Sequence, residues 1–304
     1  MNTGGTLLER LLAQYPDTPR SRAKEWILAG RVSVDDVIIR KPHHVPENSD
    51  AVVSLAGRKS SGLDCGAGWR IHARVTLLYL DASIAIVNKG PGIISVPAAK
   101  PGISALSVLE DFLCGKLAPA NRRIGFKSLP PPFRGLKPLP VHRLDQYTSG
   151  VFAIATSASG RAKLIEQLNA HMIEREYVAY VEGRPSARHG TWRNLVRLSH
   201  DEMRQEVLAE DAEAADPRAL EAVTHYEVLA EFATEDGQQT FSKLRLRLET
   251  GRKHQIRAQA AAAGHPLIGD RTYNLQYRSA KLPQEVREFP RQALHAEKLA
   301  LEHP

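Results

Sequence analysis

Only two cysteines, Cys65 and Cys114, occur in the 304 residues, too few for a disulfide framework or a Cys-rich zinc site. Reduced thiols in a cytosolic setting are the expectation that follows. No apolar run approaches the length of a membrane-spanning helix, so no membrane span is expected. The first residues lack a basic stretch followed by an apolar one, which argues against export and for a cytoplasmic protein. There is no H-E-x-x-H pair for zinc, no G-x-S-x-G elbow for a serine nucleophile and no glycine-rich phosphate loop. A hydrolase or metalloenzyme built on His142, Asp145, Ser149, His254 or His265 therefore has no motif behind it. No internal repeat is visible either.

What is present is positive charge. The net charge of +7 and a pI near 9.4 suit a polyanionic partner, because each Lys or Arg set on a phosphate releases counterions. Charge alone does not separate RNA from DNA. The length and the 42% apolar fraction allow one catalytic domain with a real core plus a small module.

The N-terminal stretch reads as that module. Leu7, Leu8, Leu11 and Leu12 recur at helical spacing, Pro16 to Pro19 break the helix, and Ser21 to Ala29 predict a second one ended by Gly30. Arg31 to Val34, a turn at Asp35-Asp36 and Val37 to Ile39 predict a hairpin, with a third strand near Ala51 to Leu55. This pattern resembles the small RNA-binding domain of ribosomal small-subunit protein four. The resemblance implies phosphate contacts from Arg20, Arg22, Lys24 and Arg31, although Glu9, Asp17, Glu25, Asp35, Asp36, Glu47 and Asp50 dilute the charge. A solvated helix face is the alternative. Ser60 to Gly68, rich in Gly and Ser, predicts a linker. The domain plan is thus a module over 1–58, a linker over 59–76 and a catalytic domain over 77–304. Lys116 to Pro140 is a proline-rich basic insertion holding Arg122, Arg123, Lys127, Arg134 and Lys137, either a substrate-facing or a plain surface loop. Glu206 to Ala219 is an acidic excursion between strands.

Three segments carry candidate chemistry. Val141-His142-Arg143-Leu144-Asp145-Gln146-Tyr147-Thr148-Ser149-Gly150 sets one carboxylate in a loop before the apolar run Val151 to Ala155, which reads as a buried strand. An ionised aspartate there needs no activation to serve as nucleophile or base; a turn-capping role paired with Arg143 is the alternative. Arg175 to Gly183 alternates, with Tyr177, Ala179 and Val181 on one face and Val178 and Tyr180 on the other. Tyr177 is an active-site or a core residue on that evidence. Gly251-Arg252-Lys253-His254-Gln255-Ile256-Arg257 opens a short helix that Gly264 closes, before His265-Pro266-Leu267-Ile268-Gly269-Asp270. Arg257 is a site residue or a solvated helix arginine.

Together these segments resemble the RluA-type pseudouridine synthases: the HRLDxxTSG signature, the Lys-x-Tyr-x-Ala-x-Val-x-Gly strand with Arg175 where lysine is usual, and TGRTHQIR with Lys253 replacing threonine. Lys89-Gly90-Pro91-Gly92 resembles the family's early KPxG loop in altered order, and Leu294-His295-Ala296 its late strand. The resemblance implies an α+β fold, a mixed and mostly antiparallel curved sheet with flanking helices around a central cleft. It implies isomerisation of uridine to pseudouridine in structured RNA, ribosomal RNA ahead of tRNA, by a monomer without cofactor or metal. Asp145, Tyr177 and Arg257 become the catalytic set, Arg257 holding Asp145 by a pair that can be bidentate. Ile256 is expected to line the uracil pocket, and Arg143, His142 and Arg252 to contact substrate or shape the loop. Whether Asp145 attacks as nucleophile or starts a glycal route stays open. A non-catalytic RNA-binding or ribosome-assembly protein on the same fold is the alternative, against which Asp145, Tyr177 and Arg257 all stand intact.

Overall fold

The computed structural model describes residues 5–16, 18–28, 31–35, 37–46, 51–55, 62–98, 102–116, 129–208, 216–279 and 282–304. The chain forms two compact units, Met1–Gly62 and Leu63–Pro304. The expectations placed on Gly30, Asp36, Ser60 and residues 117–128 and 209–215 lie outside the described residues.

In the first unit, α1 (Leu7–Gln14) starts on a capping box in which Thr6 and Glu9 satisfy each other's backbone N–H. Its Leu7, Leu8 and Leu11 pack with Ala23 and Ile27 of α2 (Arg20–Leu28) and with Val32 and Val34. The sheet runs β2 (Val37–Ile38), β1 (Val32–Val34), β3 (Val53–Leu55), antiparallel throughout. Arg20, Arg22 and Lys24 are exposed, Arg20 and Lys24 one turn apart on the same helix face. Arg31 is spent differently: its guanidinium lies 5.2 Å from the Trp26 ring centroid.

The second unit is built on one sheet of 11 strands among the described residues. In chain order these are β4 (Leu63–His72), β5 (Val75–Leu80), β6 (Ile84–Lys89), β7 (Leu139–Pro140), β8 (Ser149–Ala155), β9 (Glu174–Glu182), β10 (His189–Leu198), β11 (Gln205–Val207), β12 (Leu220–Ala233), β13 (Thr240–Leu248) and β14 (Leu294–Ala300). Their order is β11-β10-β12-β13-β9-β14-β8-β6-β5-β4, with β7 also on β8. Every pairing is antiparallel except β14 with β8, so the mixed, mostly antiparallel expectation holds. The helices are α3 (Ala105–Leu113), α4 (Ala158–Asn169), α5 (Gln255–Ala262) and the short α6 (Gln284–Arg287).

One boundary differs from the expectation. Residues 63–72 are not linker: they form β4, paired with β5. The glycines that suggested flexibility serve an irregular edge strand, since Gly66 and Gly68 both have positive φ and the register shifts between Asp64 and Trp69.

Alternation along β9 is as predicted. Tyr177, Ala179 and Val181 are buried, whereas Tyr180 is exposed. On the opposite face Glu174 and Glu176 pair with Lys298, Arg245 and Arg247 across neighbouring strands. The inward face packs on α5 through Ile256 and Ala260, together with Leu244, Leu246 and Leu294. α5 ends in a Schellman motif: His265 N–H donates to Ala260 O (2.8 Å) and Gly264 N–H to Ala261 O (3.0 Å), with Gly264 at φ +81°.

Candidate active site

The loop from Val141 to Thr148 enters the middle of the sheet between β7 and β8, and a second loop clasps it. Leu144 N–H donates to Ser95 Oγ (2.9 Å), and Ser95 Oγ donates back to Leu144 O (2.7 Å). Lys89, wholly buried at the end of β6, donates from Nζ to the carbonyls of Gly90 (3.1 Å), Ile93 (3.0 Å) and Gln146 (3.0 Å). Residues 89–95 thereby grip the chain on both sides of Asp145. Burial pushes the Lys89 amine down to about 7, with the Asp145 charge opposing that shift.

The Thr-Ser-Gly tripeptide locks the other side of the loop to β14. Thr148 Oγ1 accepts from Gln292 Nε2 (3.3 Å) and Ser149 Oγ meets His295 Nδ1 (2.9 Å). Gly150 sits opposite Ala296 at φ +120°, and a Cβ there would lie 2.1 Å from Ala296 O. Only glycine fits. Ser149 is thus a structural hydroxyl, and His265 likewise binds the Glu182 carbonyl (3.1 Å).

Asp145 meets Arg257, yet the expected bidentate pair is elsewhere. Arg257 gives its two-toothed face to Asp270, Nε to Oδ2 at 2.7 Å and Nη2 to Oδ1 at 3.0 Å, and reaches Asp145 Oδ2 with Nη1 alone at 3.2 Å. Asp270 is fully buried and also accepts from the N–H groups of Thr272 and Tyr273. Two carboxylates outweigh the burial that works against the Arg257 charge, and hold its pKa above the usual arginine value. Among the described residues no donor reaches Asp145 Oδ1, which leaves that oxygen to the cleft.

His254 completes the surroundings of the acid. It caps α5 in the left-handed region (φ 52°) with Nε2 3.9 Å from Asp145 Oδ2. Tyr273 OH accepts from Gln205 N–H (2.6 Å) and meets His254 Nδ1 at 3.1 Å, in a direction set by the tautomer of the ring. Burial pushes His254 down to about 4, so the ring is neutral at pH 7.

Asp145, Tyr177, Ile256 and Arg257 line one cleft of about 690 Å³, with Arg143 and Arg252 exposed at its rim. Burial raises Tyr177 to about 12, keeping it a neutral phenol. Arg252 anchors its Nε on Glu221 O (3.0 Å) and leaves the outer nitrogens to the cleft. His142 lines the cleft but shapes the loop: its Nε2 accepts from Ala153 N–H (2.9 Å), its ring stands edge-on to Phe152, and burial pushes it down to about 4. The residue patterns did not single out Lys89, His254 with Tyr273, or Asp270 as the partner of Arg257. For Asp270 the available signal was its place after the Gly269 turn.

The described residues hold no group of three or more His, Cys, Asp or Glu able to bind a metal ion. None of their helices is long and apolar enough to cross a membrane.

Known proteins resemble this chain in sequence and in fold. The chain is 32% identical to "Ribosomal large subunit pseudouridine synthase D" of Pseudomonas aeruginosa, over 99% of this chain and 85% of that protein. It is 31% identical to the protein of that name from Vibrio cholerae, over 99% and 84%. The structure of human RNA Pseudouridylate Synthase Domain Containing 4 superposes with a TM-score of 0.53 at 21% identity, over 73% of this chain and 82% of that one. Human RNA Pseudouridylate Synthase Domain Containing 1 gives 0.51 at 21%, over 74% and 77%. These two share the fold. The RNA pseudouridylate synthase family matches residues 83–262, which include Asp145, Tyr177 and Arg257, and the chain belongs to that family.

Proposed function

We propose that this protein isomerises uridine to pseudouridine in large-subunit ribosomal RNA. The observation that carries the reading is Asp145, one oxygen held by Arg257 and the other open to a cleft lined by Tyr177 and Ile256. The names of the relatives at 31–32% identity support the choice of RNA.

The reaction is internally balanced. The bond from ribose carbon one to uracil nitrogen one breaks, the base turns, and carbon one joins carbon five; carbon five loses a proton and nitrogen one gains one. Nothing is oxidised or reduced. Asp145 acts on the ribose from its free Oδ1, while Arg257 fixes Oδ2 by a charge-assisted bond. Tyr177, as a neutral phenol, stacks on the base and donates a hydrogen bond. Extruding the nucleotide costs a few kcal/mol, which phosphate contacts offset. Arg143 and Arg252 supply them at the rim, and Arg20, Arg22 and Lys24 offer phosphate contacts of their own on the N-terminal unit.

In Asp145→Asn the charge is lost while the shape is kept. Tritium release from RNA labelled at uridine carbon five should vanish, with RNA affinity within threefold of the parent protein. Turnover retained by that variant would refute the assignment.

A further inference from the structure

Beyond the acid, the cleft holds a second buried cation, and among the described residues this one has no counter-ion. The two-residue period of β9 puts Arg175 on the same face as Tyr177, about 7 Å along the strand. Arg175 is 9% exposed and lines the cleft. Its Nη2 donates to the carbonyls of Glu249 (2.9 Å) and Thr250 (3.4 Å), and its buried Nε has no partner. Nη1 lies over Gly251, where an added Cβ would come within 2.6 Å of it. Among the described residues no Asp or Glu pairs with Arg175; the Glu249 carboxylate is taken by His225 Nε2 at 2.6 Å. Burial accordingly lowers the Arg175 pKa below the usual arginine value. Arg257, equally deep, has two carboxylates. An unpaired buried charge is costly and persists where something supplies the missing partner.

We propose that Arg175 is the seat of a backbone phosphodiester of the RNA, next to the uridine that stacks on Tyr177. The inference rests on the reading of RNA as substrate and adds the place where its backbone is held inside the cleft. A phosphodiester brings a full negative charge, whereas a uracil carbonyl would leave the guanidinium uncompensated. The same cleft is lined by Arg161 and Arg252, which extend the positive track for neighbouring phosphates. Gly251 supplies the room, since any side chain there would displace Nη1.

The test uses the full chain and an unmodified large-subunit rRNA transcript. Arg175→Gln should lower the slope of log affinity against log salt by about one and raise KM about tenfold. Its kcat should stay within threefold and its melting temperature should not fall. An unchanged slope with a lower melting temperature would overturn the proposal, leaving Arg175 as a tie for Glu249 and Thr250. An unchanged slope with a large fall in kcat would also overturn it, pointing to a contact with the base. A measurement on the parent protein needs no variant: uridine 5′-monophosphate should compete with the RNA at least tenfold better than uridine, and equal competition would count against a phosphate seat. Absence of turnover by the parent protein would instead strike at the functional reading, since slope and competition report binding alone.

Discussion

Asp270→Asn isolates the support of the site from its chemistry. The side chain keeps its shape and its Oδ1, which accepts from Arg257 Nη2, Thr272 N–H and Tyr273 N–H. The amide nitrogen replaces Oδ2 and turns a donor toward Arg257 Nε, which now sits 2.7 Å from an acceptor. Breaking a buried pair by removing one partner costs about 3–5 kcal/mol. Asp145 remains on Nη1 at 3.2 Å, so the lower end, about 3 kcal/mol, is expected in urea unfolding. The guanidinium then swings toward the one carboxylate left to it and drags Oδ2 with it. A displacement on the order of 1 Å costs about 100-fold in rate, to be read as single-turnover tritium release with enzyme in excess. RNA affinity should hold. Adding Arg257→Met removes the orphaned charge, so stability should return to within about 1 kcal/mol of the parent while activity stays lost. Parental stability and rate in Asp270→Asn would refute the reasoning, as would strictly additive losses in the double variant.

Two further outcomes follow from the packing and the burial. Gly150→Ala should cost more than about 3 kcal/mol in chemical denaturation, because its Cβ meets Ala296 O at 2.1 Å from a backbone at φ +120°; a near-neutral effect would mean that β8 and β14 are less closely joined than described. His142 and His254 are each pushed from 6.5 to about 4 by burial. Between those values the unfolded chain binds protons that the folded one refuses, so stability should fall as pH falls, by about 2 kcal/mol per histidine at pH 5 relative to pH 7. Urea midpoints that are flat over that range would contradict it, and His142→Gln should roughly halve the dependence, leaving the share of His254.

The loop around Asp145, with Gly150 at its end, and the helix-end Gly264 were legible in the sequence because each does a local job that few residues can do. Gly264 takes the left-handed position after α5, and Gly150 yields to the neighbouring strand. Alternation also gave the faces of β9 correctly, since one face is apolar and the other carries the ion-pair ladder. The partner of Arg257 was harder. A carboxylate 13 residues downstream and one 112 residues upstream compete for the same guanidinium, and only the fold decides which takes its two-toothed face. Lys89 was hidden for a similar reason: its three acceptors are backbone carbonyls, which leave no trace in side-chain patterns. β4 escaped because bulges and glycines break the period on which strand recognition depends.

Strand β14 lies between β8 and β9, parallel to the first and antiparallel to the second, and among the described residues no other strand pairs with both. Each flank of the sheet can close its own hairpins as it leaves the ribosome, but Asp145 belongs to one flank and Tyr177 and Arg257 to the other. The acid is therefore assembled against its partners only after residue 296 has been made and threaded into the gap. A nascent chain stalled short of that point should hold Asp145, Tyr177 and Arg257 without the strand that joins their two flanks.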